Sequence, residues 1–315
     1  DHVIEPMSQT TVAMDGSSRV TFVLPSDAGL LLDTRGAFIE AQGGVVVGTP
    51  ASDYGVAYDS ALYSAMEVTV GGIAETTLSY DEYTHAMALW KDNDNLATST
   101  TDFGSGVVYN RDVLHPGAKI RNSVGNFSFS SACILNGSIF STAKLVPAGF
   151  MPQITVSLTV NNASKAFGAS TSATSLVAGS EIASATLTAG TIKLHVRSVK
   201  LPAEYIALMQ RMAESPAGLR LLYTTPRNFQ TSGLETSNTQ VLVSARRGLD
   251  KVILASQYTS TDRTVAFKYK SSAHGCTGYR LRVNGLDVTN APISVANPCT
   301  LYMHNAKALG KPAQL

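Results

Sequence analysis

A hydroxyl and an amine stand at S-x-x-K spacing in Ser141-Thr-Ala-Lys144, where a lysine could take the proton of a serine nucleophile. In penicillin-recognising enzymes that pattern opens a buried helix and works with partner motifs of the S-D-N and K-T-G type. Neither partner follows here. Residues 138–145 come straight after Asn136-Gly137, so they read as the second arm of a hairpin. Paired carboxylates, the tools of glycoside hydrolysis, occur at Asp81/Glu82 and Asp92/Asp94. The first pair falls in the opening turn of an expected helix, where acids favour the macrodipole. The second pair falls in a polar turn beyond that helix.

The other residues that could carry chemistry are dispersed. His2, His85, His115, His195, His274 and His304 form no ligand spacing; His85 reads as a helix flank and His195 as the outward face of a strand. Cys133, Cys276 and Cys299 make no CxxC pair, and an odd, widely spaced set supports neither a disulfide framework nor a zinc site. They read as small buried hydrophobes in a reducing compartment. Asn126-Phe-Ser, Asn136-Gly-Ser and Asn162-Ala-Ser match the glycosylation acceptor, but no secretory signal accompanies them. Nucleotide-binding glycine motifs, H-E-x-x-H and G-x-S-x-G are absent from the sequence. The expectation is a protein that is not an enzyme, with no catalytic residues, no cofactor and no metal.

Charge points to partners rather than to substrates. The 315 residues carry a net charge of +1 with only 15% charged side chains, against 44% hydrophobic ones. Residues 1–157 hold 7 basic and 16 acidic side chains, a net −9; residues 158–315 hold 17 and 7, a net +10. Such asymmetry suggests two domains with different neighbours. Arg246, Arg247, Lys268, Lys270, Arg280 and Arg282 could meet nucleic acid, but they alternate along strands with few aromatics for base stacking. A solvated face, or one toward an acidic protein neighbour, fits them better. No apolar run reaches the ~18–20 residues of a membrane span.

The elements that position these residues are mostly strands. Residues 153–160 alternate strictly, with Ile154, Val156, Leu158 and Val160 on one face. Residues 19–24, 66–70, 192–197 and 279–284 behave similarly. Gly71-Gly72, Asn136-Gly137 and Asn284-Gly285 supply hairpin turn signals. A helix is expected over residues 80–90, with Ser79 and Glu82 as a capping box and Tyr80, Tyr83, Met87 and Trp90 as its stripe. A second is expected from Pro202 to about Ala213, stopped by Ser215-Pro216 and Gly218, with Tyr205, Ile206, Met209 and Met212 as its apolar face. Residues 161–191 are mostly Ala, Ser, Thr and Gly and read as a long exposed loop.

One ordered set of motifs is more specific. Residues 60–72 read SALYSAMEVTVGG, followed by Tyr80-Asp-Glu-Tyr83 and by His85-Ala-Met-Ala-Leu-Trp90. This set resembles a pattern in double jelly-roll major capsid proteins of virophages, polinton-like viruses and tailless icosahedral phages. Val20-Thr-Phe-Val-Leu-Pro25 resembles the opening strand of their first roll. Leu145-Val-Pro-Ala-Gly149 with the strand to Val160 resembles its later part, and residues 194–202 the strand that closes it. Tyr279-Arg-Leu-Arg-Val-Asn-Gly-Leu-Asp287 resembles a strand of the second roll.

The resemblance implies a mainly β fold of two consecutive antiparallel jelly-roll β-sandwiches with short helices. It divides the chain into an N-terminal arm (1–18), a first roll (19–201), a connecting helix (202–218) and a second roll (219–315) that is either compact or lacks its end. It implies a structural protein of the virion: a homotrimeric, pseudo-hexameric capsomer of an icosahedral capsid. Its partners would be neighbouring capsomers, penton and minor capsid proteins, and an internal membrane or genome beneath the shell. The chain's small size suits a bacteriophage. A carbohydrate-binding or glycan-cleaving β-sandwich of a viral spike or tail would share the patterning. It should also show clustered exposed aromatics or a carboxylate cleft, and the sequence has neither.

Overall fold

The computed structural model describes residues 2–48, 54–57, 62–81, 83–84, 107–109, 119–121, 126–142, 144–170, 182–216, 218–227, 277–280, 282–283, 286–287 and 292–294. The fold is mainly β, and the sheets among the described residues are antiparallel. Strand β1 is His2–Ile4, β2 Val12–Ala13, β3 Arg19–Val23, β4 Leu30–Val47, β5 Tyr54–Ala57, β6 Tyr63–Val70 and β7 Ile73–Leu78. Then come β8 (Val107–Tyr109), β9 (Lys119–Arg121), β10 (Asn126–Ile134), β11 (Ile154–Val160), β12 (Phe167–Ser170), β13 (Ile182–Leu187) and β14 (Lys193–Lys200).

Two sheets face each other. One runs β1-β14-β4-β10, extended by β8 and, along β4, by β13 and β2; the other runs β3-β11-β6-β7. Counting only the eight strands β1, β3, β4, β6, β7, β10, β11 and β14 in chain order, the sheets read 1-8-3-6 and 2-7-4-5. That interleaving of early and late strands is the jelly roll: a long antiparallel ribbon wrapped around a barrel, so the first and last strands of the roll, β1 and β14, become neighbours.

Alternation explains why these segments pair this way. β11 buries every second residue, and β3 buries Val20 and Phe22 opposite Leu158 and Val156. Together with Met66 and Val68 of β6, these side chains meet Ile39, Ala41, Val45, Leu194 and Val196 of the facing sheet in one core. Gly71-Gly72 turns β6 into β7, with Val70 opposite Ile73.

Several sequence expectations change. His2–Ile4, within the stretch expected as an arm, pairs with β14 as the first strand of the roll; three residues are too few for alternation to reveal. The Asn136-Gly137 signal does not close a hairpin. It leads into a 3₁₀ turn at Ile139–Ser141, and the chain crosses to Val146, which bridges Leu32. Residues 161–191 are not one exposed loop. Asn162 caps a helical turn at Ala163–Ala166, β12 and β13 follow, and Ala163, Ala166, Phe167, Ala185 and Leu187 are buried; only 171–181 lie outside the described residues. Small residues permit this packing. At Gly43 a Cβ would stand 2.3 Å from the Thr186 carbonyl oxygen and 2.6 Å from the Phe129 ring.

The connecting helix spans Ala203–Glu214 with Pro202 at its N-cap and Ser215 at its C-cap. Of its expected apolar face, Ile206 and Met209 are half-buried, while Tyr205 and Met212 are exposed. In the C-terminal portion, Gly278–Tyr279 pairs with Ile293–Ser294, and Arg282–Val283 with Leu286–Asp287, while Asn284-Gly285 lies outside the described residues. Nearly all of the expected second roll lies outside the described residues.

Candidate functional site

Several residues that could have carried chemistry have a structural occupation. The Ser141 hydroxyl lies 2.7 Å from the Ser138 carbonyl and 3.0 Å from that of Thr224, and it accepts the Thr224 N–H at 3.1 Å. It sits at the edge of a 3₁₀ turn rather than at the head of a buried helix, so the S-x-x-K chemistry has no support.

Asp81 is buried, and its Oδ2 accepts from Asn161 Nδ2 at 2.9 Å. The bond pins the helical turn beginning at Tyr80 to the end of β11, 80 residues later. Asn161 is itself fixed by its N–H on the Leu62 carbonyl, at 2.8 Å. A macrodipole explanation was too weak for this carboxylate: it is a buried brace. Sequence alone could not reveal it, because the donor lies far away in the chain. Glu82, Asp92, Asp94, Met87 and Trp90 lie outside the described residues, as do Arg246, Arg247, Lys268, Lys270, Cys276, Cys299, His85, His115, His274 and His304. Among the described residues, no three His, Cys, Asp or Glu side chains group as a metal site would require.

Asn136 is buried and gives its N–H to the Tyr80 hydroxyl at 2.9 Å, and Asn162 is spent as a helix cap. Burial of Asn136 keeps it from accepting a glycan, whereas Asn162 and Asn126 are both exposed. Tyr63 and Tyr80 flank Cys133 in the core, and burial pushes both phenols above their ordinary value. Tyr83, less deeply set, is pushed up to about 12. The Tyr63 hydroxyl is buried without a hydrogen-bond partner.

The feature with the form of an interface is the outer face of the β1-β14-β4-β10 sheet. Register puts Val3, His195, Phe38 and Ile134 in one row across four strands. His195 stacks on Phe38 with ring centroids 4.4 Å apart and planes 5° from parallel, and its Nε2 lies 3.0 Å from Glu40 Oε2. His195 thus faces outward as expected, but as part of a flat row, not as a ligand. Beyond it the face carries Lys193 and Glu40 beside Ala132, then Gln42, Ser130, Gly44, Ser128 and Ser184, which are small or uncharged. In the C-terminal portion, Asp287 takes both cations that the sequence placed on a solvated face or one toward an acidic protein neighbour: Arg282 Nε at 2.7 Å and Arg280 Nη1 at 3.2 Å.

No family model matches the chain, and no curated protein matches it. Solved structures do. The mavirus major capsid protein aligns with a TM-score of 0.36 at 16% identity, covering 65% of this chain and 47% of that one. The Sputnik virophage structure gives 0.40 at 12%, covering 64% and 48%. The PBCV-1 virus capsid gives 0.44 at 13%, covering 98% and 75%. The chain is similar to viral major capsid proteins. It spans about half the length of the mavirus and Sputnik chains it matches.

Proposed function

We infer that this protein is a major capsid protein: a structural tile of an icosahedral viral shell, located in the virion and working as a homotrimer of pseudo-hexagonal outline. The carrying observation is the strand order 1-8-3-6 facing 2-7-4-5, in a chain whose capsid-like motifs fall on those strands in sequence. The SALYSAMEVTVGG segment contains β6 and its turn, the segment ending at Val160 is the seventh strand, and residues 194–202 carry the eighth strand into the connecting helix. A jelly roll alone hosts many functions; the ordered motifs narrow the choice.

The rest of the reading follows from what a tile needs. Residues 219–315 form the second roll, and the two rolls stand side by side. A shell subunit must be covered laterally on several faces, and the outer face of the β1-β14-β4-β10 sheet offers mostly small and apolar residues, with Glu40, His195 and Lys193 as its charged or titratable positions. Neighbouring capsomers, penton and minor capsid proteins are the partners, with a membrane or genome beneath. The acidic first half and basic second half contribute steering more than affinity, since exposed pairs are worth about 0–1 kcal/mol each.

Light scattering combined with negative-stain microscopy tests this. The expected result is a particle of three chains with a pseudo-hexagonal outline. A stable monomer at high concentration and low salt overturns the reading.

A further inference from the structure

After the connecting helix, residues 218–227 cross one end of the jelly roll as an extended strap. Leu221 and Tyr223 pack against the core, while Leu222 between them is exposed. The strap's polar groups meet a single small seat. The Ser138 N–H donates to the Thr224 carbonyl at 3.0 Å, and the Thr224 N–H to Ser141 Oγ at 3.1 Å. Thr142 Oγ1 donates to the Leu222 carbonyl at 3.2 Å. From β7, Glu75 Oε2 accepts from Thr225 Oγ1 at 3.1 Å and from Ser138 Oγ at 3.2 Å, so one carboxylate ties the strap to its seat.

That seat is strained. Gly137 has φ +85°, and Ser138 has φ 49° with ψ −136°, a region that residues with a side chain occupy only when their surroundings hold them there. A Cβ on Gly137 would stand 3.0 Å from two ring carbons of Pro226. The strap therefore holds a turn that would relax without it. Among the described residues its backbone is tied by one bridge, with side-chain bonds and the packing of Leu221 and Tyr223 beside it, whereas β11 is laddered on both sides. Regions fastened in that way open at lower free energy than the ladders of a core.

We propose that residues 222–226 form a latch that opens independently of the jelly roll, with Glu75 and the Gly137-Ser138 turn as its catch. Seated, the latch holds the Gly137-Ser138 turn in its strained conformation; released, it lets that turn relax. The proposal concerns the chain's internal mechanics and stands whether or not the protein is a capsid tile.

Native-state hydrogen exchange on the full chain, read at single amides, tests it. In the unaltered protein the Ser138 and Thr224 amides are expected to exchange through an opening that leaves the centre of β11 protected. Glu75→Ala and Gly137→Ala are expected to speed exchange at those two amides by roughly tenfold or more with β11 unchanged. Trypsin cleavage after Arg220, which is exposed in the strap just before the latch, should accelerate in parallel. Exchange of Ser138 and Thr224 only at the rate of β11 in the unaltered protein overturns the proposal, because strap and roll would then be one cooperative unit. Unchanged protection in both variants overturns it equally, because the named contacts would not be the catch. Should a variant fail to fold, the measurement on the unaltered protein still decides.

Discussion

Tyr63→Phe and Tyr80→Phe remove the same atom from two fully buried rings in one core, and opposite signs are expected. Tyr63 is 1% exposed, and its hydroxyl has no hydrogen-bond partner. Folding therefore strips that group of water without replacement, at a cost of about 1–3 kcal/mol. Phenylalanine avoids the cost and leaves a gap of only one oxygen, so a gain of about 1 kcal/mol is expected after the lost contacts are set against it. Tyr80 is also 1% exposed, but its oxygen accepts the Asn136 N–H at 2.9 Å. Deleting that acceptor removes a bond worth about 1 kcal/mol net and strips a buried donor of this partner, for a loss of about 1–2 kcal/mol. The variants should differ by roughly 2–3 kcal/mol, or about 4–12 °C in Tm if the roll unfolds as a unit of 150–250 residues. Paired thermal and urea melts of the first unfolding transition read this directly. Tyr63→Phe melting at or below Tyr80→Phe would refute the assignment of which hydroxyl is satisfied.

Three further outcomes are expected. Gly43→Ala should destabilise the roll by about 3 kcal/mol or block folding, because the added carbon meets the Thr186 carbonyl at 2.3 Å; a wild-type Tm would show that β4 and β13 can part cheaply. Asn161→Ala should cost about 2–3 kcal/mol in urea denaturation, since it takes a charge-assisted bond from buried Asp81, and a loss under about 0.5 kcal/mol would remove the brace from the account. Stability should hold up to pH 10 and fall above it. The Tyr63 and Tyr80 phenols ionise near 10.0 when unfolded but stay protonated in the fold, so their contribution is complete below that value and is lost as pH rises beyond it. Tyrosinate absorbance rising in step with unfolding, rather than before it, is the check.

The alternation of residues 153–160 and 19–24 determined two strands and their buried faces from the sequence alone, because side-chain direction in a strand depends only on local geometry. The turn at Gly71-Gly72 and the proline-led helix at Ala203–Glu214 were legible for the same reason: each rests on the backbone preferences of a few adjacent residues. Pairing was not local. Nothing in His2–Ile4 announces a partner at Leu194–Val196, and only the closing of the roll brings the two ends together. Residues 161–191 misled because Ala, Ser, Thr and Gly carry little burial signal of their own. Whether they face water or a close-approaching backbone is decided by the neighbour, as at Gly43 and Thr186. Asp81 looked like a helix-end acid and became a buried brace only when folding set Asn161 beside it. Arg280 and Arg282 read as a solvated face or one toward an acidic protein neighbour, and the fold sets Asp287 of the same chain beside both. The sequence could determine which residues make strands and turns, since those depend on adjacent dihedrals. Only the tertiary structure could decide which polar groups are spent on each other, since a hydrogen bond depends on distance in space and not along the chain.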